Sequence, residues 1–168
     1  LDLLTADYGA ATVSIRLNDG SGAFSGTGSV AVGASPFSLA VGDLDNDGDL
    51  DLAAAGYGSG AVLIRLNDGN GAFSGQHSVS VGSGWTSVAL GDLDGDDDLD
   101  LASVNSGGAS FRFNDGSGIF SGSGSVALTT APITVALGEL NGGEATTASG
   151  LPDLGIRLPN AAEVDYLI

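Results

Sequence analysis

The run Asp43-Leu44-Asp45-Asn46-Asp47-Gly48-Asp49-Leu50-Asp51 returns 49 positions later as Asp92-Leu93-Asp94-Gly95-Asp96-Asp97-Asp98-Leu99-Asp100. In each copy, carboxylates stand at the first, third, fifth and ninth positions. Like charge this dense drives a backbone apart unless a cation neutralises it. Hard oxygen ligands at such density suit calcium better than zinc or copper. A recurrence near fifty residues also constrains the fold, because repeats of that length build propeller blades or solenoid turns.

The repeat extends beyond the acidic runs. Leu1-Asp2-Leu3, Leu50-Asp51-Leu52 and Leu99-Asp100-Leu101 correspond, as do Leu17-Asn18-Asp19-Gly20, Leu66-Asn67-Asp68-Gly69 and Phe113-Asn114-Asp115-Gly116. A fourth, worn unit opens with Ile133-Thr134-Val135-Ala136-Leu137-Gly138, the counterpart of Thr86 to Gly91. Each unit reads as four short strands, in the second unit near Phe37–Val41, 50–56, 61–66 and 72–81. The Asp run links the first two strands, and Asn67-Asp68-Gly69 closes a hairpin, since Asn, Asp and Gly accept positive φ.

The chain is therefore expected to be all-β: propeller blades of four antiparallel strands, about three and a half of them, within a larger ring of about seven. The boundaries are a partial blade at 1–35, full blades at 36–84 and 85–131, and a degenerate partial blade at 132–168. The 29 glycines disfavour helix. A blade alone cannot bury both faces, so Phe24, Phe73 and Phe120, at equivalent positions, are expected to pack between neighbours. The incomplete outer blades imply either the remainder of a larger propeller or a second copy that completes the ring.

Charge narrows the partners. The formal net charge is −17, with 21 acidic residues against 4 arginines and no lysine. That excludes a phosphate-backbone partner, for which a basic patch is required. Eleven of the acids fall in the two runs, so most of the charge is candidate ligand. Without cysteine there is no disulfide or thiol chemistry. No apolar stretch of membrane-spanning length occurs, so no membrane insertion is expected. Loops of extracellular calcium modules fill at roughly 10⁻⁴ to 10⁻³ M, which points to a secreted or cell-surface setting.

The pattern Val41-Gly42-Asp43-Leu44-Asp45-Asn46-Asp47-Gly48-Asp49-Leu50-Asp51-Leu52, with Leu66-Asn67-Asp68-Gly69-Asn70-Gly71-Ala72-Phe73-Ser74, resembles the FG-GAP and VCBS repeats. That group includes the integrin alpha-subunit propeller and secreted bacterial repeat proteins. The resemblance implies a propeller whose Asp loops hold calcium, with adhesion or ligand binding on its faces. By position, Asp43, Asp45, Asp47 and Asp51 would supply carboxylate oxygens and Asp49 its carbonyl, with Gly48 at the turn. In the second site Asp92, Asp94, Asp96 and Asp100 take those roles, Asp98 gives its carbonyl, and Asp97 replaces the turn glycine. Two calcium sites are thus expected. In the fourth unit Glu139, Asn141 and Gly143 replace the early aspartates, and no site is expected there.

Catalysis by paired carboxylates is the competing reading of the acidic runs, but calcium ligation would hold these same groups ionised. His77 is the sole histidine and lacks a counterpart in the other units, so it is read as a surface residue. Abundant serines have no histidine partner for a hydrolytic triad. Arg16, Arg65 and Arg112 share one strand position and are expected to pair with a nearby Asp or a blade edge. Trp85, at the start of an inner strand, is read as core or as a surface for a sugar ring, and Tyr8 and Tyr57 as further stacking candidates. The expectation is a non-enzymatic, calcium-binding propeller segment serving adhesion, ligand binding, or surface or filament assembly. Its partners would be other protein chains or glycans. A calcium-dependent lectin and an accessory domain of an extracellular hydrolase or lyase are the alternatives.

Overall fold

The computed structural model describes residues 1–33, 35–84 and 87–138. Among them are eleven strands and no helix, hence none long and apolar enough to cross a membrane. Trp85 and the aspartate-poor loop of the fourth unit lie outside the described residues.

The strands form three antiparallel sheets in simple sequential order. The first holds β1 (Leu3–Asp7), β2 (Thr12–Asn18) and β3 (Phe24–Ala31). The second holds β4 (Pro36–Gly42), β5 (Asp51–Gly56), β6 (Ala61–Asn67) and β7 (Phe73–Ser80). The third holds β8 (Ser87–Gly91), β9 (Asp100–Asn105), β10 (Gly108–Asn114) and β11 (Phe120–Ala127). This is the expected architecture of propeller blades, with the up-and-down order putting both Asp runs and all three Asn-Asp-Gly turns at one end.

Small side chains let the sheets stack closely. Every residue of β5 is buried, its side chains pointing alternately to the two sides. Leu52 and Ala54 join Val13 and Val30 of the first sheet and Val32 just beyond it, while Ala53 and Ala55 join Val88 and Leu101 of the third. Phe73 packs into the first of these interfaces and Phe120 into the second, as expected of blade-to-blade contacts. Phe24 is 49% exposed, because no described sheet precedes the first one to cover it.

Two features recur with the repeat. Each third strand meets its fourth across a bulge at the shared arginine, where the register skips Arg16, Arg65 or Arg112. Opposite lie Gly26, Gly75 and Gly122, with φ of 86°, 62° and 61°, a conformation glycine supplies without a Cβ clash. Along the inner edge, hydroxyls tie one blade to the next. Ser38 Oγ accepts the Val88 N–H at 3.2 Å, and Ser87 Oγ accepts the Val135 N–H at 3.4 Å. Residues 133–138 join no strand ladder, yet Val135 and Leu137 pack on the third sheet beside Phe111.

Candidate metal centre

Each acidic loop is anchored before it is charged. Leu44 and Leu93, second in their runs, are buried in separate apolar clusters, which forces the flanking aspartates onto the opposite side. Two backbone positions per loop are left-handed: Asn46 and Gly48 at φ 59° and 93°, Gly95 and Asp97 at 84° and 71°. The turn thus survives the exchange of glycine for Asp97, the other position having gained a glycine in compensation.

The ninth aspartate closes the loop from beneath. Asp51 is fully buried; its Oδ2 accepts the Leu44 N–H at 2.8 Å and its Oδ1 the Asn67 N–H at 2.8 Å. Asp100 repeats this with Leu93 at 2.8 Å and Asn114 at 2.9 Å. Asp43 accepts the N–H groups of Asp47 and Gly48, at 3.2 and 2.9 Å, and Asp92 those of Gly95 and Asp97, at 2.7 and 3.2 Å.

The outcome is two matching carboxylate clusters. Asp43, Asp45 and Asp51 each place an oxygen within 4.8 Å of the others, as do Asp92, Asp94 and Asp100. Fully ionised, each such pair would repel by at least about 3.5 kcal/mol at an effective dielectric of 20. Burial, and then the Asp47 charge, holds the Asp45 carboxyl above its usual range; burial, and then Asp100 and Asp96, does so for Asp94. Burial also raises Asp51 and Asp100, against the opposing pull of their two backbone N–H donors.

Asp47 and Asp96 fall outside these groups of three. Their Oδ1 atoms accept the N–H two residues on, from Asp49 at 2.9 Å and Asp98 at 3.0 Å. The side chains of Asp49 and Asp98 turn away over Gly69 and Gly116, where a Cβ would meet their carboxylates.

A divalent ion fits these residues. Asp45 Oδ1 is buried without a hydrogen-bond partner, a costly state that a cation in the cluster would relieve. The donors are all hard oxygens, as calcium requires. Asp43, Asp45 and Asp51, and Asp92, Asp94 and Asp100, would hold the ions.

The turn asparagines carry more than the sequence suggested. Asn114 is buried, and its Nδ2 donates to the Leu44 carbonyl of the neighbouring loop at 2.8 Å. Its hairpin role in the sequence concealed this; the signal was the fixed register of Asn18, Asn67 and Asn114 with Asp2, Asp51 and Asp100.

Elsewhere, Arg65 reaches a blade edge and, among the described residues, no carboxylate. Its Nε and a terminal nitrogen donate to the Ala31 carbonyl at 2.8 and 2.6 Å, and the other to Gly75 at 3.0 Å. Arg16 and Arg112 each donate to the carbonyl of the preceding residue. His77 is exposed on β7. At the end opposite the loops, Tyr8 and Phe37 each approach Tyr57 with ring centroids 6.2 Å apart.

The model of the FG-GAP-like repeat family matches residues 1–54 and again 43–103. No curated protein matches the chain. Among solved structures, a lectin from Agrocybe aegerita, described for specific recognition of non-reducing terminal N-acetylglucosamine, is similar at 24% identity with a TM-score of 0.50. The likeness covers 74% of this chain and about a third, 34%, of the lectin, and it concerns the fold.

Proposed function

The chain belongs to the FG-GAP-like repeat family, and from that premise we propose that it is a non-enzymatic, calcium-binding propeller segment of a secreted or cell-surface protein. Its work is adhesion, ligand binding or surface assembly, and the metal is structural. The observation that carries this reading is the buried, unpartnered Asp45 Oδ1 inside a cluster of three carboxylates, with the cluster repeated around Asp94. Bound ions would remove the repulsion, fix both loops and hold the blades in register.

At millimolar calcium and a dissociation constant of about 10⁻⁴ M, each site adds roughly 1.4 kcal/mol of stability. The test is thermal melting of the full chain in calcium and in chelator. The calcium-loaded form is expected to melt about 5–10 °C higher; coincident midpoints would reject the reading.

A second reading, a calcium-dependent lectin, is favoured by Tyr8, Phe37 and Tyr57, which are 53%, 45% and 37% exposed and gathered at the end away from the loops. Aromatic faces of this kind suit sugar rings. A glycan array probed with calcium-loaded protein separates the two readings: retention of a defined glycan, lost in Tyr57→Ala, supports the lectin.

A further inference from the structure

The two acidic loops touch. Asn46, between Asp45 and Asp47 of the first loop, donates its Nδ2 to Asp98 Oδ1 of the second at 2.7 Å, with the Gly116 carbonyl at 3.4 Å. A second tie runs the other way through Asn114. Its side chain holds the Leu44 carbonyl, between Asp43 and Asp45, at 2.8 Å, while its N–H holds the buried Asp100 carboxylate at 2.9 Å. Each tie thus joins a residue beside the first cluster to one in or beside the second.

The first tie is not a by-product of the repeat. The residue equivalent to Asn46 in the second loop is Gly95, which has no side chain to pass on. Asn67, the counterpart of Asn114, donates its Nδ2 to the Leu50 carbonyl at 3.2 Å just as Asn114 does to Leu99 at 3.2 Å, but the bond to a neighbouring loop is seen at Asn114 alone among the described residues. Both contacts are of the kind that ionised or buried partners make strong.

Resting on the calcium reading above, we infer that the two loops take up metal cooperatively, the Asn46–Asp98 and Asn114–Leu44 hydrogen bonds carrying the coupling. An ion at Asp43, Asp45 and Asp51 fixes the backbone on both sides of Asn46 and at Leu44. That fixation orders Asp98, whose carbonyl is an expected ligand of the second ion, and Asn114, whose N–H steadies Asp100. By linkage the second ion favours the first equally. Metal therefore acts as a lock between blades as well as a stabiliser of each.

The experiment is a calorimetric titration of calcium chloride into the metal-stripped full chain. The wild type is expected to bind two ions with positive cooperativity, the second at least about fivefold tighter than statistics allow. Asn46→Gly should still bind two ions, with the cooperativity reduced to what the Asn114–Leu44 bond carries. This substitution suits the left-handed φ of 59° and copies Gly95, so the fold is expected to tolerate it. Asp98→Ala removes the acceptor from the other side. It should have the same effect, and the double variant should add nothing further. Independent sites in the wild type, or unchanged cooperativity in both single variants, would overturn the coupling while leaving the calcium sites standing. No calcium uptake by the wild type at millimolar concentration would overturn the calcium reading, and the coupling with it.

Discussion

Asn67 donates its backbone N–H to Asp51 Oδ1 at 2.8 Å, so the turn that ends β6 is fastened to the residue that closes the acidic loop. Leu44 fills the other oxygen, and Asp51 has no exposed surface. Asp51→Asn cannot accept both bonds, because its amide nitrogen would face an N–H donor. The expected loss is about 2–4 kcal/mol, from one buried donor left unmet and one opposed. Chemical denaturation of metal-free protein measures it apart from any lost ion; Asp100→Asn should behave alike.

The same burial gives the metal-free chain an inverted pH profile. Asp45, Asp51, Asp94 and Asp100 are held above the ordinary carboxylate range, so the folded state binds protons more readily than the unfolded one. Stability should rise as pH falls from 7 toward about 4, the unfolded value. Below that, Asp7, Asp19, Asp68 and Asp115 act oppositely. Side-chain or backbone hydrogen bonds hold them low, and the stability they add is lost as they protonate. Urea midpoints across pH 3–7 in metal-stripped protein should therefore peak on the acid side. With calcium present the trend from 7 to 4 should reverse, since bound metal requires ionised ligands.

Arg65 joins the first two sheets through the Ala31 carbonyl, a contact that Arg16 and Arg112 do not make. Burial lowers its pKa, yet among the described residues it meets no carboxylate. Arg65→Met should cost about 2 kcal/mol by removing charge-assisted bonds to two carbonyls that then lose their donor. Arg16→Met and Arg112→Met should cost less than about 1 kcal/mol. Three denaturation curves check the ranking.

Sequence and structure agree where a residue's role is set by its neighbours in the chain. The alternation in Ala61–Asn67 and the glycine-rich turns announced the strands, and the spacing of Asp43, Asp45 and Asp51 announced a cluster. They part where a particular bond in the fold, rather than the spacing, decides. Asp47 looks equivalent to Asp45 in the sequence, but its carboxylate stands outside the group of three that Asp45 joins, its Oδ1 accepting the Asp49 N–H. Asn114 is fully explained as a turn residue until its bond to Leu44, 70 positions away, is seen. The bulges opposite Arg16, Arg65 and Arg112 left only the recurring Phe-Ser-Gly of the fourth strand as a trace.

Gly69 and Gly71 separate conformational strain from steric conflict within one turn. Both are left-handed, at φ 75° and 81°, so alanine at either costs about 1 kcal/mol in backbone strain. Around Gly71 there is open space, whereas a Cβ on Gly69 would collide with the Asp49 carboxylate. Displacing that side chain is expected to disturb the loop at Asp49, whose carbonyl is an expected calcium ligand. Gly69→Ala should therefore lower both stability and calcium affinity, the latter by about tenfold if the displaced ligand is worth 1.4 kcal/mol. Gly71→Ala should lower stability alone. Calcium titration of the two variants under the same conditions decides: equal affinities would mean that the Asp49 carbonyl contributes nothing to the site.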